Sequence, residues 1–229
     1  MMRMTSKIFY AHEILKEFKG HNAVKNVLRR DDLSVLDIGC GLPRTLLSLY
    51  QVYNFKKLVG VDEEVESKLV TEKLSAHVPK TVNSVYLLFQ RGIKKEKRKI
   101  RKGKYLSKSA FQNRFQLHFE TDILSYFHYS KPDDFFDYIV LSNILHLVDE
   151  DEIGIIFSNA VAKLKRGGLI FVRVTHEENP NTKPPNNHTG FNEASFLKLF
   201  TGFKKIDAYQ YKKEDEEYVQ SITYIGVKE

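Results

Sequence analysis

The chain has 229 residues, room for one large domain and little for two. Apolar residues make up 42 % of it and aromatic residues 12 %, enough for one substantial core, which excludes a disordered chain. A single cysteine, Cys40, excludes an intramolecular disulfide and a cysteine-based zinc cluster. No apolar run approaches the roughly 18–20 residues of a membrane-spanning helix, and no signal-peptide core follows Met1–Lys7. The expectation is a cytoplasmic protein without a transmembrane segment or a metal, of unknown oligomeric state. The formal net charge of +7 is local: Lys94–Lys104 holds eight basic residues and one acidic, 8 − 1 = +7, so the remaining 218 residues sum to zero.

In chain order, apolar β-type runs alternate with segments of helical period, the pattern of a mainly parallel sheet covered on both faces. Ile8–Lys19 reads as a helix with Ile14, Leu15 and Phe18 on one face, within a helical N-terminal cap over 1–32. Strands are expected at Ser34–Ile38, Lys57–Asp62, Phe115–Thr121, Phe136–Ser142 and Gly168–Val174. The fourth and fifth of these are continuous apolar runs, as strands buried on both faces should be. Between them Ile153, Ile156, Phe157, Ala160, Val161 and Leu164 recur at helical spacing, and Gly167-Gly168 is expected to stop that helix. Pro180–His188 reads as a polar loop. Asn192 can cap a helix over Glu193–Phe200 that Gly202 ends. Phe203–Tyr211 and Tyr218–Val227 then form an antiparallel hairpin. Sixty residues separate Asp62 from Asp122, where a helix and two turns need roughly 20–30. The surplus, 78–112, is an insertion in a single domain spanning 1–229.

The chemistry concentrates at Asp37-Ile38-Gly39-Cys40-Gly41, a strand running into a glycine turn, with Leu46, Leu49, Tyr50 and Tyr53 continuing as a helical face. Glycines let the backbone turn sharply and let a ligand lie against it. Asp62 ends the next strand 23 residues after Gly39, where a carboxylate can accept from both ribose hydroxyls of an adenosine. A dinucleotide fingerprint would place a third glycine at position 44, which is Arg44.

The Asp37–Gly41 segment instead resembles the D-x-G-x-G signature of the class I S-adenosylmethionine-dependent methyltransferases. Gly60-Val61-Asp62 resembles that family's ribose-binding acidic position, with Glu63 beside it. Thr121-Asp122-Ile123 is similar to its polar pair facing the adenine, and Phe136–His146 to its fourth strand and following loop. Leu164–Leu169 resembles its run into the fifth strand. The resemblance, over roughly Leu33–Val174, implies a doubly wound, mostly parallel seven-stranded sheet with an antiparallel C-terminal hairpin. It also implies S-adenosyl-L-methionine as cofactor, held by Asp37, Gly39, Cys40, Gly41, Asp62, Glu63, Asp122, Ile123, Ser142 and Asn143. Many members have a further glycine where this chain has Pro43, which suits the first turn of a helix. His146, just past the fourth strand, is the candidate general base for an acceptor that must lose a proton. Tyr10, His12, His176 and Glu177 are candidates for the acceptor pocket.

Several acceptor classes leave marks this chain lacks. Amino-directed adenine and cytosine enzymes resemble each other in an Asn/Asp-Pro-Pro-aromatic turn, where Ser142-Asn143-Ile144-Leu145 stands here. Cytosine-C5 enzymes use a cysteine nucleophile, and Cys40 lies in the wrong loop. Common ribose 2′-O enzymes use Lys-Asp-Lys-Glu, whereas this chain has Asn143 at the expected Asp and Arg173 near the expected second Lys. These absences favour a small-molecule acceptor. Against them stands Lys94–Lys104, whose charges can track RNA phosphates or an anionic surface, or simply be solvated. An RNA-directed methyltransferase is therefore the alternative, and a non-catalytic binding protein that kept the fold a more distant one.

Overall fold

The computed structural model describes residues 2–5, 10–30, 32–41, 44–53, 55–63, 113–119, 121–129, 133–183 and 189–229. The insertion, with Lys94–Lys104, and Pro43 and His188 lie outside them. The strands are β1 (Arg3–Thr5), β2 (Ser34–Ile38), β3 (Lys57–Asp62), β4 (Phe115–Phe119), β5 (Phe136–Ser142), β6 (Leu164–Thr175), β7 (Phe203–Tyr211) and β8 (Ser221–Lys228). The helices are α1 (Ala11–Glu17), α2 (Asn22–Leu28), α3 (Arg44–Val52), α4 (Ile123–Tyr129), α5 (Glu150–Lys163) and α6 (Glu193–Lys198), with a 3-10 turn at Pro180–Thr182.

These strands form one sheet in the order β1-β7-β8-β6-β5-β2-β3-β4. Only the pairings of β8, with β6 and with β7, are antiparallel. Seven strands follow the expected plan, closing hairpin included. The eighth, β1, corrects the reading of the N-terminal segment as wholly helical: Arg3–Thr5 pairs in parallel with Tyr209–Tyr211. A three-residue edge strand is too short to show periodicity, so its pairing, and the Arg3–Asp207 ion pair at 2.5 Å that accompanies it, had no signal in the sequence.

Alternation along the strands assigns the two faces. Leu36, Ile38, Ile139, Leu141, Ile170 and Val172 pack with α4, α5 and α6, whereas Val35, Tyr138, Val140, Leu169 and Phe171 pack with α1, α2 and α3. At the amino ends of β2 and β5, fully buried Asp137 accepts from Ser34 N and Oγ and pairs with Arg30 and Lys165. A buried carboxylate surrounded in this way pins the end of the sheet opposite the candidate site.

The end of α5 differs from expectation. The helix stops at Lys163, four residues before Gly167, because Leu164 already has extended angles and pairs with Phe136. Gly167 (φ +74°) instead serves an irregularity inside β6, where the register shifts between Phe136 and Tyr138. A Cβ on Gly168 would stand 2.8 Å from Lys165 O, so the glycine pair is needed by the bulge, not by a helix cap.

Candidate functional site: a polar cradle at the strand carboxyl ends

Connections from β2 lead outward through β3 and β4, and the chain then returns to place β5 on the other side of β2. The order thus reverses between β2 and β5, and in open α/β sheets that crevice is where ligands bind. Gly39 (φ +66°) and Gly41 (φ +49°) turn the chain there, in the left-handed region that favours glycine. The turn is tied to β3 by Gly39 N and Cys40 N, which donate to Val61 O at 2.8 and 3.0 Å. A Cβ on Gly39 would meet Ile144 at 2.8 Å, so the turn and the loop after β5 are in contact. A Cβ on Gly41 would meet nothing within 4 Å, so bare backbone borders open space that a side chain would fill. Gly41 N donates to Asp62 Oδ2 at 2.6 Å, which fixes the carboxylate at the rim of that space.

The remaining candidates divide by what holds them. Asp37 is buried on the α1 face, and burial first, then the Asp62 carboxylate, pushes its carboxyl up to about 8. Burial likewise raises the Cys40 thiol, which removes the thiolate a nucleophile would need. Glu63 is exposed beyond β3. Asp122 accepts from Ser125 N at 2.6 Å and Leu124 N at 3.4 Å, so its carboxylate caps α4, and hydrogen bonding from the Ser125 side chain first, then from these N–H groups, holds it below the usual range. Ile123 is buried in the same first turn. Ser142 closes β5, and Asn143 follows with φ +62°, its N–H donating to Arg173 O at 2.9 Å.

On the acceptor side, His146 is buried and its carbonyl accepts from Thr189 N at 2.9 Å, while Thr189 Oγ1 donates to Val148 O. His176 is buried, and its Nδ1 accepts from Glu178 N at 3.2 Å. Glu177 accepts from Asn192 Nδ2 at 3.2 Å, which ties it to the cap of α6. Tyr10, the N-terminal flanking residue of α1, is half-exposed and lies parallel to His12 at 6.1 Å. The return of Phe191 onto the end of β6, its N–H donating to Thr175 O, had only the polar composition of the preceding segment as a signal. Sequence reasoning also passed over the buried polar residues beneath α1: Tyr138, Tyr209, Thr223 and, except as an imperfect match to a lysine, Arg173.

A doubly wound sheet with a glycine turn and an acidic second strand at its switch point defines a nucleoside-cofactor-binding α/β enzyme. The sequence matches the methyltransferase-domain family over residues 9–208, and the chain belongs to that family. No curated protein sequence matches it. Its fold is similar to a SAM-dependent methyltransferase from Archaeoglobus fulgidus, at 14 % identity, 95 % of each chain covered and a TM-score of 0.56. It is similar to the N-methyltransferase NodS from Bradyrhizobium japonicum, at 15 % identity, 94 % of this chain and 97 % of that one covered, TM-score 0.54. It is also similar to 1,6-didemethyltoxoflavin-N1-methyltransferase from Burkholderia thailandensis, solved with its namesake compound and S-adenosylhomocysteine. There the identity is 14 %, with 98 % of this chain and 92 % of that one covered and a TM-score of 0.55. The chain is an S-adenosylmethionine-dependent methyltransferase. Among the described residues, no helix is long and apolar enough to cross a membrane.

Proposed function

We propose that the enzyme methylates a small-molecule acceptor. The observation that carries this reading is the cover over the carboxyl ends of β5 and β6. The segment after β6 returns so that Thr189 bonds to His146 and Val148, and Phe191 pairs beside His176. That cover favours a recess bounded by the chain's own loops over an open face for a polymer. Gly39 and Gly41 give the cofactor close backbone approach and Asp62 anchors its ribose, with Asp37, Cys40, Glu63, Asp122, Ile123, Ser142 and Asn143 completing the cradle.

The bound cofactor supplies a methyl group already activated by its sulfonium. The protein's work is to align the acceptor and exclude water. His146 takes the proton of an acceptor that must lose one, and Tyr10, His12, His176 and Glu177 are the candidates for lining the acceptor pocket. Insertion 78–112, within a single domain spanning 1–229, is expected to be dispensable for this chemistry. The test is transfer of a tritiated methyl group from the cofactor to a cell extract divided into small molecules and RNA. Label in the small-molecule fraction is expected. Label confined to RNA, and lost when Lys94–Lys104 is replaced by a Gly/Ser linker, would overturn the proposal in favour of the RNA-directed enzyme.

A further inference from the structure

We propose that the acceptor is a cation, drawn to the methyl-transfer site by the charge of the connections on its acceptor side. The inference names the substrate class of the small-molecule reading above and rests on that reading. The site itself is placed by the switch point of the sheet and by the family, not by these charges. The connections after β5, β6 and β7, counted into the first turn of any helix that follows, are 143–152, 176–193 and 212–220. They hold three basic and 11 acidic residues, 3 − 11 = −8, in a chain whose formal net charge is +7. The rest of the chain therefore carries 7 − (−8) = +15. Residues 184–188, outside the described ones, contain no Asp, Glu, Lys or Arg, so the count does not depend on their placement.

Hydrogen bonds join the three connections into one rim. Thr189 N donates to His146 O at 2.9 Å and Thr189 Oγ1 to Val148 O, which ties the second connection to the first just before Asp149. His176 N and Asn179 Nδ2 both donate to Gln220 O at 3.1 Å, and Val219 N donates to Glu178 Oε2 at 3.0 Å, which ties the second to the third. Neutral donors thus orient carboxylates without cancelling their charge, since Glu177 is likewise held by Asn192 Nδ2 at 3.2 Å. Asp149, Glu150 and Asp151 in the first connection and Glu214, Asp215 and Glu217 in the third are exposed. The helix dipole accounts for acids in the first turn of α5. It does not account for Glu177, Glu178 or the run 214–217, which stand in the first turn of no helix. Charges of one sign gathered around a site add their fields and raise the encounter rate of an opposite charge by about 10–10³-fold. A cationic acceptor is therefore concentrated where the cofactor presents its methyl group, whichever atom of the acceptor takes it. A polyanion meets the same field with the sign reversed, which sets the rim against a nucleic-acid acceptor.

The test uses the intact chain. The small molecules of a cell extract are divided by ion exchange at neutral pH into cationic, neutral and anionic pools, and each is offered with the tritiated cofactor. Label from the cationic pool is expected. Label mainly from the neutral or anionic pool would overturn the inference and leave the small-molecule reading standing. Label confined to RNA would overturn that reading, and this inference with it. A second arm decides when an extract lacks the acceptor: on protein loaded with S-adenosylhomocysteine, benzylamine is compared with benzyl alcohol and benzoate by ligand-observed NMR. The wild type is expected to favour benzylamine over benzoate about tenfold at about 20 mM salt, and much less at about 500 mM. Glu214→Gln, Asp215→Asn and Glu217→Gln together lie outside the cofactor cradle. They should narrow the preference several-fold and leave S-adenosylhomocysteine affinity unchanged. No preference for the amine, or one that neither salt nor the triple variant reduces, would overturn the inference. Wild-type protein that binds no S-adenosylhomocysteine would overturn the cofactor reading itself, a result distinct from all of these.

Discussion

Replacing Asp37 by asparagine should stabilise the protein while impairing the cradle. Burial and, second to it, Asp62 raise the Asp37 carboxyl from its ordinary 3.8 to about 8. Between those values the folded chain holds a proton that the unfolded chain has released. Stability is therefore greatest below the unfolded value and falls as pH rises through the window. At neutral pH roughly three units of that shift apply, at about 1.4 kcal/mol each, or about 4 kcal/mol against the folded state. Asparagine has nearly the same shape and no proton to hold, but its amide must also be desolvated. A net gain of about 2 kcal/mol, or about 4–8 °C in the thermal midpoint, is expected at neutral pH. Urea unfolding of both proteins at about pH 5 and about pH 8 provides the assay, and the variant should lose much of the wild type's decline across that interval. Asp62→Asn should shift the upper end of the window downward, because Asp62 adds to the rise. An Asp37→Asn variant less stable than wild type at about pH 8, or one with an unchanged pH slope, would refute the reasoning.

Three further outcomes follow from the same geometry. Asp62→Ala removes the acceptor of the Gly41 N–H and the proposed ribose anchor, so S-adenosylhomocysteine should bind about 1.5–3 kcal/mol more weakly by calorimetry. Gly39→Ala places a Cβ 2.8 Å from Ile144 at a φ of +66°, and should cost about 1–3 kcal/mol in chemical denaturation, partly relieved by Ile144→Ala. If His146 is the general base, His146→Ala should lower turnover by about 10²–10⁴ and leave cofactor affinity nearly unchanged; a near-wild-type rate would leave it a packing residue.

The sheet was readable because its central strands carry their burial in composition. Tyr138–Leu141 and Leu169–Val172 are apolar without interruption, and only a strand covered on both faces requires that. Residues whose role is set by a backbone turn were legible for a related reason. Gly39, Gly41 and Asp62 announce themselves by residue type at fixed spacing, since the bare backbone beside an acidic strand end has few substitutes. Where tertiary placement decides, the sequence was silent or misleading. Gly167-Gly168 has the look of a helix stop but serves a bulge, because Leu164 finds a strand partner first.

Asp122 and Arg173 show the same limit from opposite sides. Asp122 sits where an adenine-facing residue is expected, yet its carboxylate accepts two backbone N–H groups of α4, and any contact with a ligand must share oxygens already bonded. Arg173, in a strand otherwise read as core, looks like a misfit until the register lines it up with Ser142, Thr223 and Tyr209 beneath α1. Alternation then accounts for the whole polar set. Asp37, Tyr138, Arg173, Tyr209 and Thr223 each fall on the face that α1 to α3 cover, while the opposite face of the same strands contributes Leu36, Ile38, Ile139, Leu141 and Val172 to the core. One face of the sheet thus supplies apolar packing. The other combines packing below with a buried polar layer toward the strand ends, beneath the N-terminal helices.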